Sequence, residues 1–568
     1  MINVDELKAL IKGEVETSDS EIEMASHDAS IFEVRPQAVV YPKDVEDVKK
    51  LVHYVSEKSK AGGPPALTLT GRLAGTDMSG GPLTESLVVS FLRHFNQIKE
   101  VKEESQGHLS GDYSKVEITG YAVTEPGVYY RDFEKATLSA GGRIMPSYPA
   151  SRELCTVGGM VANNAGGEKT LRYGKTELYV RRLKMVCADG NEYEFKPLNT
   201  GELTAKKSLS NFEGQLYRKM SELIDSNFAK LQAAKPAVSK NSCGYFLWNV
   251  RDKTADTFDL TKLIVGSQGT LGLITEIEYG LVKLPKYSHL LVVFLTDLKQ
   301  LGQTASKILV EGPESFESYD DQTLKVAFKF LPQLLKQMGG NLLTLGLEFV
   351  PEMLSVLTGG LPKLVLMAEF TSDSDAEALA KAQKAQASIR ELHEKTRVTK
   401  TASDENKYWV IRRESFNMLR KHIHGVRTAP FIDDFVVPPA ELSEFLPRLY
   451  QALDVYKGEL TYTIAGHVGD GNFHIIPLMN LNQERSREII KDLSVKIYEL
   501  VHEFGGSITG EHNDGIIRTP FIKMQYGEEI CRLFEQTKKI WDPKGIFNPG
   551  KKVGGTLEYA FSHIVKSS

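Results

Sequence analysis

Residues 461–476 constrain this chain more than any other segment, because they place two histidines on either side of a tight turn. Two apolar runs flank Gly469-Asp470-Gly471-Asn472, which is a turn sequence, and this pattern predicts a β-hairpin. His467 ends the first predicted strand and His474 begins the second. Directly opposed residues in a hairpin have Cβ atoms about 4.5–5.5 Å apart. Imidazoles at that separation can bind one divalent ion, with metal–nitrogen distances of about 2.0–2.1 Å.

A third ligand for such an ion is available in the segment Gly510-Glu511-His512-Asn513-Asp514-Gly515. Glu511 offers a carboxylate oxygen, and His512 places a titratable imidazole beside it. Three protein ligands leave one position open on a tetrahedral ion, which is typical of catalytic sites. The alternative, that the two hairpin histidines are purely structural, stays open from the residues alone.

Length and composition narrow the class of protein. A chain of 568 residues exceeds what one hydrophobic core usually supports, so we expect at least two domains. With 41% hydrophobic and 25% charged residues, the composition is that of a globular protein. A net charge of -5, without long blocks of like charge, argues against nucleic acid as a partner.

The four cysteines and the N-terminus indicate the compartment. Cys155, Cys187, Cys243 and Cys531 are widely separated, which predicts reduced thiols rather than a disulfide framework or an iron–sulfur cluster. The first residues are acidic and lack the features of a signal peptide. No apolar run approaches the roughly 18 residues needed to span a bilayer. We therefore expect a soluble cytoplasmic protein, with peripheral membrane contact and a homodimer both left open.

The first half reads as mixed α and β structure with many glycine turns. Residues 44–59 form a predicted helix with one apolar face. Predicted strands at 66–70 and 86–91 flank a glycine-rich loop at 71–81. The middle of the chain, about 286–460, alternates apolar strands (289–295 and 364–370) with charged helical stretches such as 376–394. We interpret that part as a second α+β domain, and residues 541–550 as turns.

Three glycine-rich segments are candidates for holding a cofactor. The 71–81 loop follows a strand, but it is neither a GxGxxG motif nor a P-loop, so alone it fits a plain turn or a phosphate site. The segment 151–174 contains Gly158-Gly159 and Asn163-Asn164-Ala165-Gly166-Gly167, and 265–276 contains Gly266, Gly269 and Gly272. Separated glycine loops beside strands are suited to embracing one long cofactor.

Together these segments resemble the FAD-binding domain of the vanillyl-alcohol-oxidase superfamily. The first resembles its pyrophosphate loop, the second its TxGG…NAGG flavin-contact segment, and the third its GSEGTLGxxTE segment; residues 240–245 resemble a further family element. Leu73 and Ala74 replace family glycines, and Gln268 replaces a glutamate. No histidine in these loops is placed to bond a flavin, so the resemblance implies non-covalent FAD.

The resemblance also implies which residues contact that cofactor. They are small, amide or loop-forming residues from the three segments and from the C-terminal turn: Arg72, Gly75, Thr76, Asp77, Gly80, Pro149, Thr156, Gly158, Gly159, Asn163, Asn164, Gly166, Gly167, Tyr173, Gly174, Gly269, Ile274, Thr275 and Asn548.

The motifs HxGDGNxH and GEHxDG resemble the C-terminal domain of FAD-linked oxidases, which include D-lactate and D-2-hydroxyglutarate dehydrogenases. The family pattern implies His467, His474 and Glu511 as ligands of zinc, or of manganese or iron, with His512 as catalytic base. Asn513 replaces the usual glycine of GEHGxG, which suggests a small displacement of His512.

Arg518 resembles a subgroup that reads GEHGDGxxR and often continues into an iron–sulfur domain. This sequence ends soon after its family-like residues 542–551, so we expect any such relay to be a separate protein. The resemblance covers about residues 25–555.

The remaining family-like residues concern substrate binding. Arg412 and Arg413 resemble the family's substrate-carboxylate arginine; the alternative is a solvated helix face, and the family context favours Arg412. Asp433-Asp434 also fits the family, but Ile432 stands where some relatives carry a lysine. The size of the substrate is therefore not carried over.

The implied fold class is α+β, with a two-domain FAD-binding (PCMH-type) fold and a ferredoxin-like α+β substrate or cap domain. We expect an N-terminal extension at 1–24, an FAD-binding domain at 25–285, a substrate-binding domain at 286–510 and a returning segment at 511–568.

The implied function is FAD-dependent, metal-assisted oxidation of a D-2-hydroxy acid, such as D-lactate, glycolate or a 2-hydroxyglutarate-like acid, to the 2-oxo acid. Electrons would pass to a quinone, cytochrome, flavoprotein or iron–sulfur protein. Two alternatives are other flavin chemistry, as in ether-lipid synthases of this superfamily, and a non-catalytic flavin subunit of a larger complex.

Overall fold

The computed structural model of the protein describes residues 2–59, 65–105, 107–109, 111–330, 361–422 and 426–566. Strands are numbered in chain order: β1 Glu14–Glu16, β2 Ala38–Tyr41, β3 Leu69–Arg72, β4 Leu87–Ser90, β5 Ile98–Glu103, β6 Gly120–Thr124, β7 Arg143–Ile144, β8 Val180–Val186, β9 Glu192–Phe195, β10 Leu198–Asn199, β11 Arg251–Asp252, β12 Thr257–Phe258, β13 Leu273–Lys283, β14 Tyr287–Leu295, β15 Ser315–Asp320, β16 Leu364–Ser372, β17 Lys395–Val398, β18 Arg427–Thr428, β19 Phe435–Val436, β20 Ile464–His467, β21 Asn472–Ile475 and β22 Leu478–Met479.

The α-helices of the described residues are Val4–Leu10, Asp19–Ala25, Val45–Lys58, Tyr130–Gly141, Val157–Asn163, Thr170–Tyr173, Thr200–Ser208, Phe212–Ser226, Phe228–Ala234, Thr261–Ile264, Leu301–Val310, Asp321–Lys329, Asp375–Ser388, Ala402–His422, Leu442–Asp454, Glu484–Glu503, Gly515–Arg518, Ile522–Trp541 and Leu557–Ser562.

The first sheet has the order β1-β2-β4-β3, in which β2, β4 and β3 run parallel. The helix Val45–Lys58 follows β2 and buries Val48, Leu51 and Val52 against this sheet, because these residues share one face at helical spacing. Asp44 caps the helix by accepting a hydrogen bond from the Asp47 backbone N–H. The helix predicted at 44–59 is therefore confirmed.

The strand predicted at 66–70 is shifted in the structure. β3 begins at Leu69 and continues to Arg72, because its parallel partner β4 pairs with it from Leu87 to Ser90. The strand predicted at 86–91 is confirmed as β4 with slightly narrower bounds. The pairing of β3 with β4 therefore determines the residue at which the glycine loop begins, and the local run of apolar residues does not.

The second sheet is antiparallel and has the order β5-β6-β13-β8-β9, with β7 paired to the end of β13. The long strand β13 is central, and it begins inside the third glycine-rich segment. Its interior side chains, including Ile277 and Tyr279, are fully buried in the main hydrophobic core.

The third sheet is antiparallel, with seven strands in the order β17-β14-β16-β15-β20-β21-β19. Alternate residues of β14 enter different cores, Leu291 and Val293 on one face and Leu290 and Val292 on the other, as the period of a strand requires. Both of its faces are therefore covered by packed side chains.

In the second half of the chain, one predicted helix and one predicted turn differ from the structure at one end. The strands predicted at 289–295 and 364–370 are confirmed within β14 and β16. The helix predicted at 376–394 ends earlier, at Ser388, because a 3₁₀ turn follows and His393 is left-handed with φ 57°. The turn predicted at 541–550 is confirmed apart from Trp541, which is the last residue of a helix.

The C-terminal segment returns to the first sheet. Phe547 bridges to Leu69, and the Asn548 amide donates hydrogen bonds to the carbonyls of Gly81 (2.9 Å) and Gln268 (2.7 Å). These contacts join residues separated by hundreds of positions in the sequence. The domain boundaries at 24/25, 285/286 and 510/511 stay a prediction.

Candidate active site

The histidine hairpin forms as predicted, but its register differs from direct opposition. In the antiparallel pair β20–β21, His467 faces Asn472 and His474 faces Ala465. The two histidines are therefore a diagonal pair on one face, with ring centroids 5.3 Å apart. Gly471 makes this register possible, because it has φ 67° and a Cβ there would lie 1.7 Å from the Val437 carbonyl oxygen.

His467, His474 and Glu511 form a compact group, named here the metal cluster. One potential ligand atom from each lies within 4.8 Å of those of the others. His467 and Glu511 are buried and His474 is half-buried. Two imidazoles and a carboxylate are a donor set that zinc accepts, so these residues fit a divalent ion. Their assignment as ligands stays a prediction.

Buried carboxylates orient both histidines of the metal cluster. Glu317 Oε1 lies 2.6 Å from His467 Nδ1, and Asp433 Oδ1 lies 3.1 Å from His474 Nδ1. A carboxylate only accepts, so it favours a proton on each Nδ1 and leaves the Nε2 lone pair for a ligand bond. On the opposite side of His467, its Nε2 lies 3.4 Å from Glu511 Oε1.

Asp434 holds the backbone that carries Glu511 and His512. Its Oδ2 accepts from the backbone N–H groups of Gly510 (3.0 Å), Glu511 (2.9 Å) and His512 (2.7 Å). Asp434 has φ 68°, a left-handed conformation that aspartate tolerates better than most residues. Three hydrogen bonds to one charged oxygen fix this segment beside the hairpin.

Lys240 adds a buried cation to the metal cluster. Its Nζ donates to Glu511 Oε1, and it lies 3.4 Å from Asp470 Oδ2. Burial opposes its charge, but Glu511 and Asp470 outweigh burial and raise the pKa of Lys240. The family-like segment 240–245 therefore supplies a charge that holds one oxygen of Glu511.

His512 lies next to the metal cluster. Its Nδ1 is 2.8 Å from Asp433 Oδ2, and its ring stacks on His474 with centroids 5.2 Å apart. Burial opposes a charge on the imidazole, but Asp434 and Asp433 outweigh burial and raise the pKa of His512 to about 9. The ligand-free protein therefore favours the protonated form of His512.

The two adjacent arginines have different partners. Arg412 Nε lies 2.6 Å from Glu317 Oε2, so it shares a carboxylate with His467. Arg413 donates to both oxygens of Glu168, at 2.7 and 2.8 Å, and its side chain is half exposed. The structure thus brings Arg412, and not Arg413, into contact with the network around the metal cluster.

The fold accommodates the departure at Asn513 and buries Arg518, the residue that resembles the subgroup pattern. Asn513 has φ 70°, the conformation that a glycine would favour, and its Nδ2 donates to the Gly266 carbonyl at 2.9 Å. Arg518 is fully buried and donates to the carbonyls of Asn513 (3.0 Å) and Asp433 (2.7 Å). Asparagine therefore serves here as a left-handed residue that also ties the motif to the third glycine segment.

A separate cavity, named here the cofactor cavity, lies where the three glycine segments meet. Its lining residues are Gly71, Arg72, Leu73, Ala74, Gly75, Thr76, Asp77, Gly81, Pro82, Phe91, Pro126, Thr156, Gly158, Gly159, Ala162, Asn163, Gln268, Gly269, Gly272, Leu273 and Ile274. They include Leu73, Ala74 and Gln268, the three departures from the family pattern.

The cavity suits a long, partly apolar cofactor because its glycines leave room. The nearest heavy atom to a Cβ built on Gly159 is Thr156 Oγ1 at 3.3 Å, and a Cβ on Gly269 would have no neighbour within 4 Å. Side chains at these two positions would therefore project into the cavity rather than into protein. The residues present fit FAD, and the individual contacts stay a prediction.

The remaining predicted cofactor residues lie around the cavity or away from it. Gly80 donates its backbone N–H to Asp28, Thr275 donates to Glu192, and Asn164 donates to Glu177. Tyr173 OH contacts Glu314 at 3.3 Å. Those outside the lining are Gly80, Pro149, Asn164, Gly166, Gly167, Tyr173, Gly174, Thr275 and Asn548.

Gly166 and Arg72 show how two of these residues act. A Cβ on Gly166 would lie 3.2 Å from Glu511 Oε1, so Gly166 borders the metal cluster rather than the cofactor cavity. The Arg72 guanidinium donates to the carbonyls of Ala25 (3.2 Å) and His27 (2.5 Å), and thus fixes the end of a helix beside the cavity.

Two functional candidates were not predicted from the sequence. Glu317 lies on β15, 150 positions before His467, and no local motif marks it; the only signal is a charge within a fully buried strand. Lys240 belongs to a family-like segment, but its contact with Glu511 depends on tertiary structure.

Two properties of the whole chain concern membranes and thiols. In the residues that the structure describes, no helix combines the length and apolar character needed to cross a bilayer. All four cysteines are free thiols, and three of them are buried.

Comparisons with known proteins divide the chain into two matched regions. Residues 36–196 match the model of an FAD binding domain, and residues 284–552 match that of the C-terminal domain of FAD-linked oxidases. The cofactor cavity draws on the first region, and the metal cluster lies in the second.

The chain is 26% identical over 547 residues to D-2-hydroxyglutarate dehydrogenase of Pseudomonas putida, which covers 95% of this chain and 50% of that protein. It therefore spans about half the length of that relative. It is 27% identical to D-lactate dehydrogenase of Archaeoglobus fulgidus, over 91% of each chain. The solved structure of 4-ethylphenol oxidase from Gulosibacter chungangensis shares the fold, with a TM-score of 0.65 at 14% identity and coverage of 98% and 97%. On these matches the chain belongs to the FAD-linked oxidases of the vanillyl-alcohol-oxidase superfamily.

Proposed function

We propose that this protein oxidises a 2-hydroxy acid to the 2-oxo acid with FAD as the electron acceptor and a divalent ion at His467, His474 and Glu511. The observation that carries the proposal is the convergence of His512 on this metal cluster, with Arg412 joined to it through Glu317. An acid-binding cation, a metal-ligand set and a proton-accepting group then surround one site.

Arg412 supplies the contact for the acid end of the substrate. Its Nε is the guanidinium atom that lies 2.6 Å from Glu317 Oε2, so we assign the Nη end to the substrate. Arginine binds carboxylates as a planar fork of N–H donors, so this end can fix both the position and the plane of the acid. Arg413 is less suited, because Glu168 already takes both of its short contacts.

His512 is the proposed acceptor of the substrate hydroxyl proton. Asp433 holds its Nδ1, which leaves Nε2 as the atom that exchanges a proton with substrate. The pKa of His512 is raised in the ligand-free protein, so His512 loses its proton more readily when positive charge is added nearby. A divalent ion, when bound at Glu511, supplies that charge and acts as a Lewis acid for the substrate oxygen.

FAD, when bound, supplies the two-electron acceptor for oxidation at the substrate Cα. The residues that would hold it line the cofactor cavity, where Gly159 and Gly269 leave space against the backbone. The D configuration and the identity of the metal as zinc, manganese or iron rest on family likeness alone.

The proposal includes an external electron acceptor, such as a quinone, cytochrome, flavoprotein or iron–sulfur protein, and a cytoplasmic location. Other flavin chemistry and a non-catalytic flavin subunit are the competing functions. The complete group of His467, His474, Glu511 and His512 favours oxidation, because a subunit without chemistry has no use for it.

Anaerobic mixing of the purified flavoprotein with a panel of D- and L-2-hydroxy acids tests the reaction, with FAD absorbance as the readout. We expect bleaching by at least one acid. His467→Ala should lose bound metal and most of this reduction while keeping its flavin. Lack of bleaching by every acid in the panel, in protein that holds FAD and metal, would reject the reaction.

A further inference from the structure

Glu317 is a buried carboxylate whose two oxygens contact two different functional side chains. Its Oε1 lies 2.6 Å from His467 Nδ1, and its Oε2 lies 2.6 Å from Arg412 Nε. The side chain is 1% exposed, so no solvent competes for either contact. One residue therefore touches both a predicted metal ligand and the predicted substrate arginine.

The fold holds Glu317 in this place through a strand ladder. β15 pairs antiparallel with β20, and the paired residues are Ser318 with Gly466 and Tyr319 with Ala465. The next step along the same register sets Glu317 beside His467. Strands at the centre of a packed sheet move little, so the carboxylate is a rigid reference for the imidazole.

The Arg412 contact comes from a different element. Arg412 lies on the helix Ala402–His422, which packs with the helix Asp321–Lys329 on one face of the sheet. An arginine from a helix and a histidine from a strand therefore meet on one buried carboxylate.

We infer that Glu317 is a positioning residue that sets the metal-binding tautomer of His467 and, at the same time, the orientation of Arg412 toward the substrate carboxylate. The inference rests on the proposed function, which it deepens. It assigns a role to a residue outside both C-terminal motifs.

The tautomer argument follows from donor and acceptor chemistry. A carboxylate beside a guanidinium only accepts, so Glu317 favours the His467 tautomer with its proton on Nδ1, which leaves Nε2, 3.4 Å from Glu511 Oε1, as the atom that can bind a metal ion. Loss of such a partner behind a metal-bound histidine typically lowers metal affinity by about 10–100-fold. On the Arg412 side, the ion pair brings Nε within 2.6 Å of Glu317 Oε2, which leaves the Nη end as the part that can bind a substrate carboxylate.

Glu317→Gln and Glu317→Ala separate these two roles. Glutamine keeps a carbonyl oxygen beside Arg412 Nε, but its NH₂ then faces His467 Nδ1 and moves the imidazole proton to Nε2, where it opposes metal binding. Alanine leaves His467 free to adopt either tautomer, but it removes the oxygen that lies against Arg412. The two variants should therefore damage different binding events.

The experiment measures Zn²⁺ binding by calorimetry and pyruvate binding by perturbation of the FAD spectrum in metal-free protein. We expect Glu317→Gln to weaken Zn²⁺ binding by about 10–100-fold, more than Glu317→Ala does, and to change pyruvate binding by less than threefold. We expect Glu317→Ala to weaken pyruvate binding more than Glu317→Gln does.

Asp320→Asn is the matched control, because Asp320 is a buried carboxylate three positions along the same strand. It accepts from Thr323 and the Ile464 backbone, away from His467 and Arg412. We expect both binding constants to stay within threefold of the parent in this variant. Thermal melts of all variants measure their stability. If Glu317 only stabilised the fold, Zn²⁺ affinity would fall together with the melting temperature.

The pattern of results decides the inference. If Zn²⁺ affinity follows thermal stability, or if Glu317→Gln binds Zn²⁺ as tightly as the parent, Glu317 does not set the tautomer. If the crossed pattern holds but no 2-hydroxy acid bleaches the flavin, the positioning role stands and the proposed reaction falls. A parent protein that binds neither Zn²⁺ nor pyruvate would reject both.

Discussion

Asp433 lies between His474 and His512, with one carboxylate oxygen 3.1 Å from His474 Nδ1 and the other 2.8 Å from His512 Nδ1. A predicted metal ligand and the predicted base thus share one buried acid. Burial opposes ionisation of Asp433, but His512 and His474 outweigh burial and lower its pKa. The acid is therefore ionised, and it orients both rings at once.

His512→Asn should retain bound FAD and metal but lose flavin reduction by about 10²–10⁴-fold, the usual contribution of a positioned base. Asparagine is close in size and keeps the backbone contact with Asp434, which involves only the main-chain N–H. Anaerobic stopped-flow absorbance with the best acid of the panel measures the rate. A variant that reduces its flavin within threefold of the parent would remove His512 from the mechanism.

Asp433→Asn should lower both Zn²⁺ affinity and the rate of flavin reduction, because His474 and His512 lose the same acceptor. His512→Asn should lower only the rate. Calorimetry with Zn²⁺ and stopped-flow reduction, made on both variants, compare the two effects. Equal Zn²⁺ affinities in the parent and in Asp433→Asn would show that Asp433 does not support the metal cluster.

Arg412→Lys should weaken binding of the acid by about 10–100-fold, as expected when a charged hydrogen bond worth about 1.5–3 kcal/mol is lost. Lysine keeps the charge but not the fork of donors. The same substitution at Arg413 should change binding by less than threefold, because Glu168 holds that guanidinium. Saturation curves of flavin reduction against acid concentration test both variants. A larger loss of binding in Arg413→Lys than in Arg412→Lys would assign carboxylate binding to Arg413.

Gly159→Val should weaken FAD binding at least tenfold (about 1.4 kcal/mol), because the side chain would project into the cofactor cavity. Gly201→Val is the control, since Gly201 is also helical and exposed, and its built Cβ has its nearest neighbour at the same 3.3 Å. The measurement is the fraction of flavin retained after dialysis. Normal FAD retention in Gly159→Val would place the cofactor elsewhere.

Glu276→Gln should lower stability above pH 4.5 and have little effect near pH 2. Burial would raise the pKa of Glu276, but hydrogen bonds from Lys99 and Lys184 outweigh it and lower the pKa to about 2. A group whose pKa is lowered on folding stabilises the folded protein at pH values above its pKa in the unfolded chain, near 4.5. This stabilisation is lost as the pH falls toward the pKa in the folded protein. Urea unfolding of parent and variant at pH 7 and pH 3 measures the difference in the free energy of unfolding. Glu153→Gln, at an exposed position, is the control. A difference independent of pH would argue against the ion pairs.

The sequence predicted those parts of the site that are local. Gly469-Asp470-Gly471-Asn472 specifies a turn, so the residue pattern alone was enough to place the hairpin and its two histidines. The helix Val45–Lys58 was equally predictable, because its cap and its apolar face lie within one stretch of sequence.

The parts that escaped prediction depend on contacts between distant segments. Glu317 and His467 are 150 positions apart and meet only because β15 pairs with β20. The diagonal register of His467 and His474 depends on how Gly471 turns, which the pattern of apolar residues does not reveal. Family likeness supplied residue types for the cofactor, but it placed Tyr173 among contacts that the cavity lining does not include.

Asn548 has a consequence for how the protein is made. Its amide ties together Gly81 and Gln268, which both line the cofactor cavity. A ribosome releases the N-terminal segments first, yet these two loops receive their shared partner only after residue 548 has emerged. The cavity therefore reaches its described form only after residue 548 has been made, and we expect FAD capture to follow the synthesis of that residue.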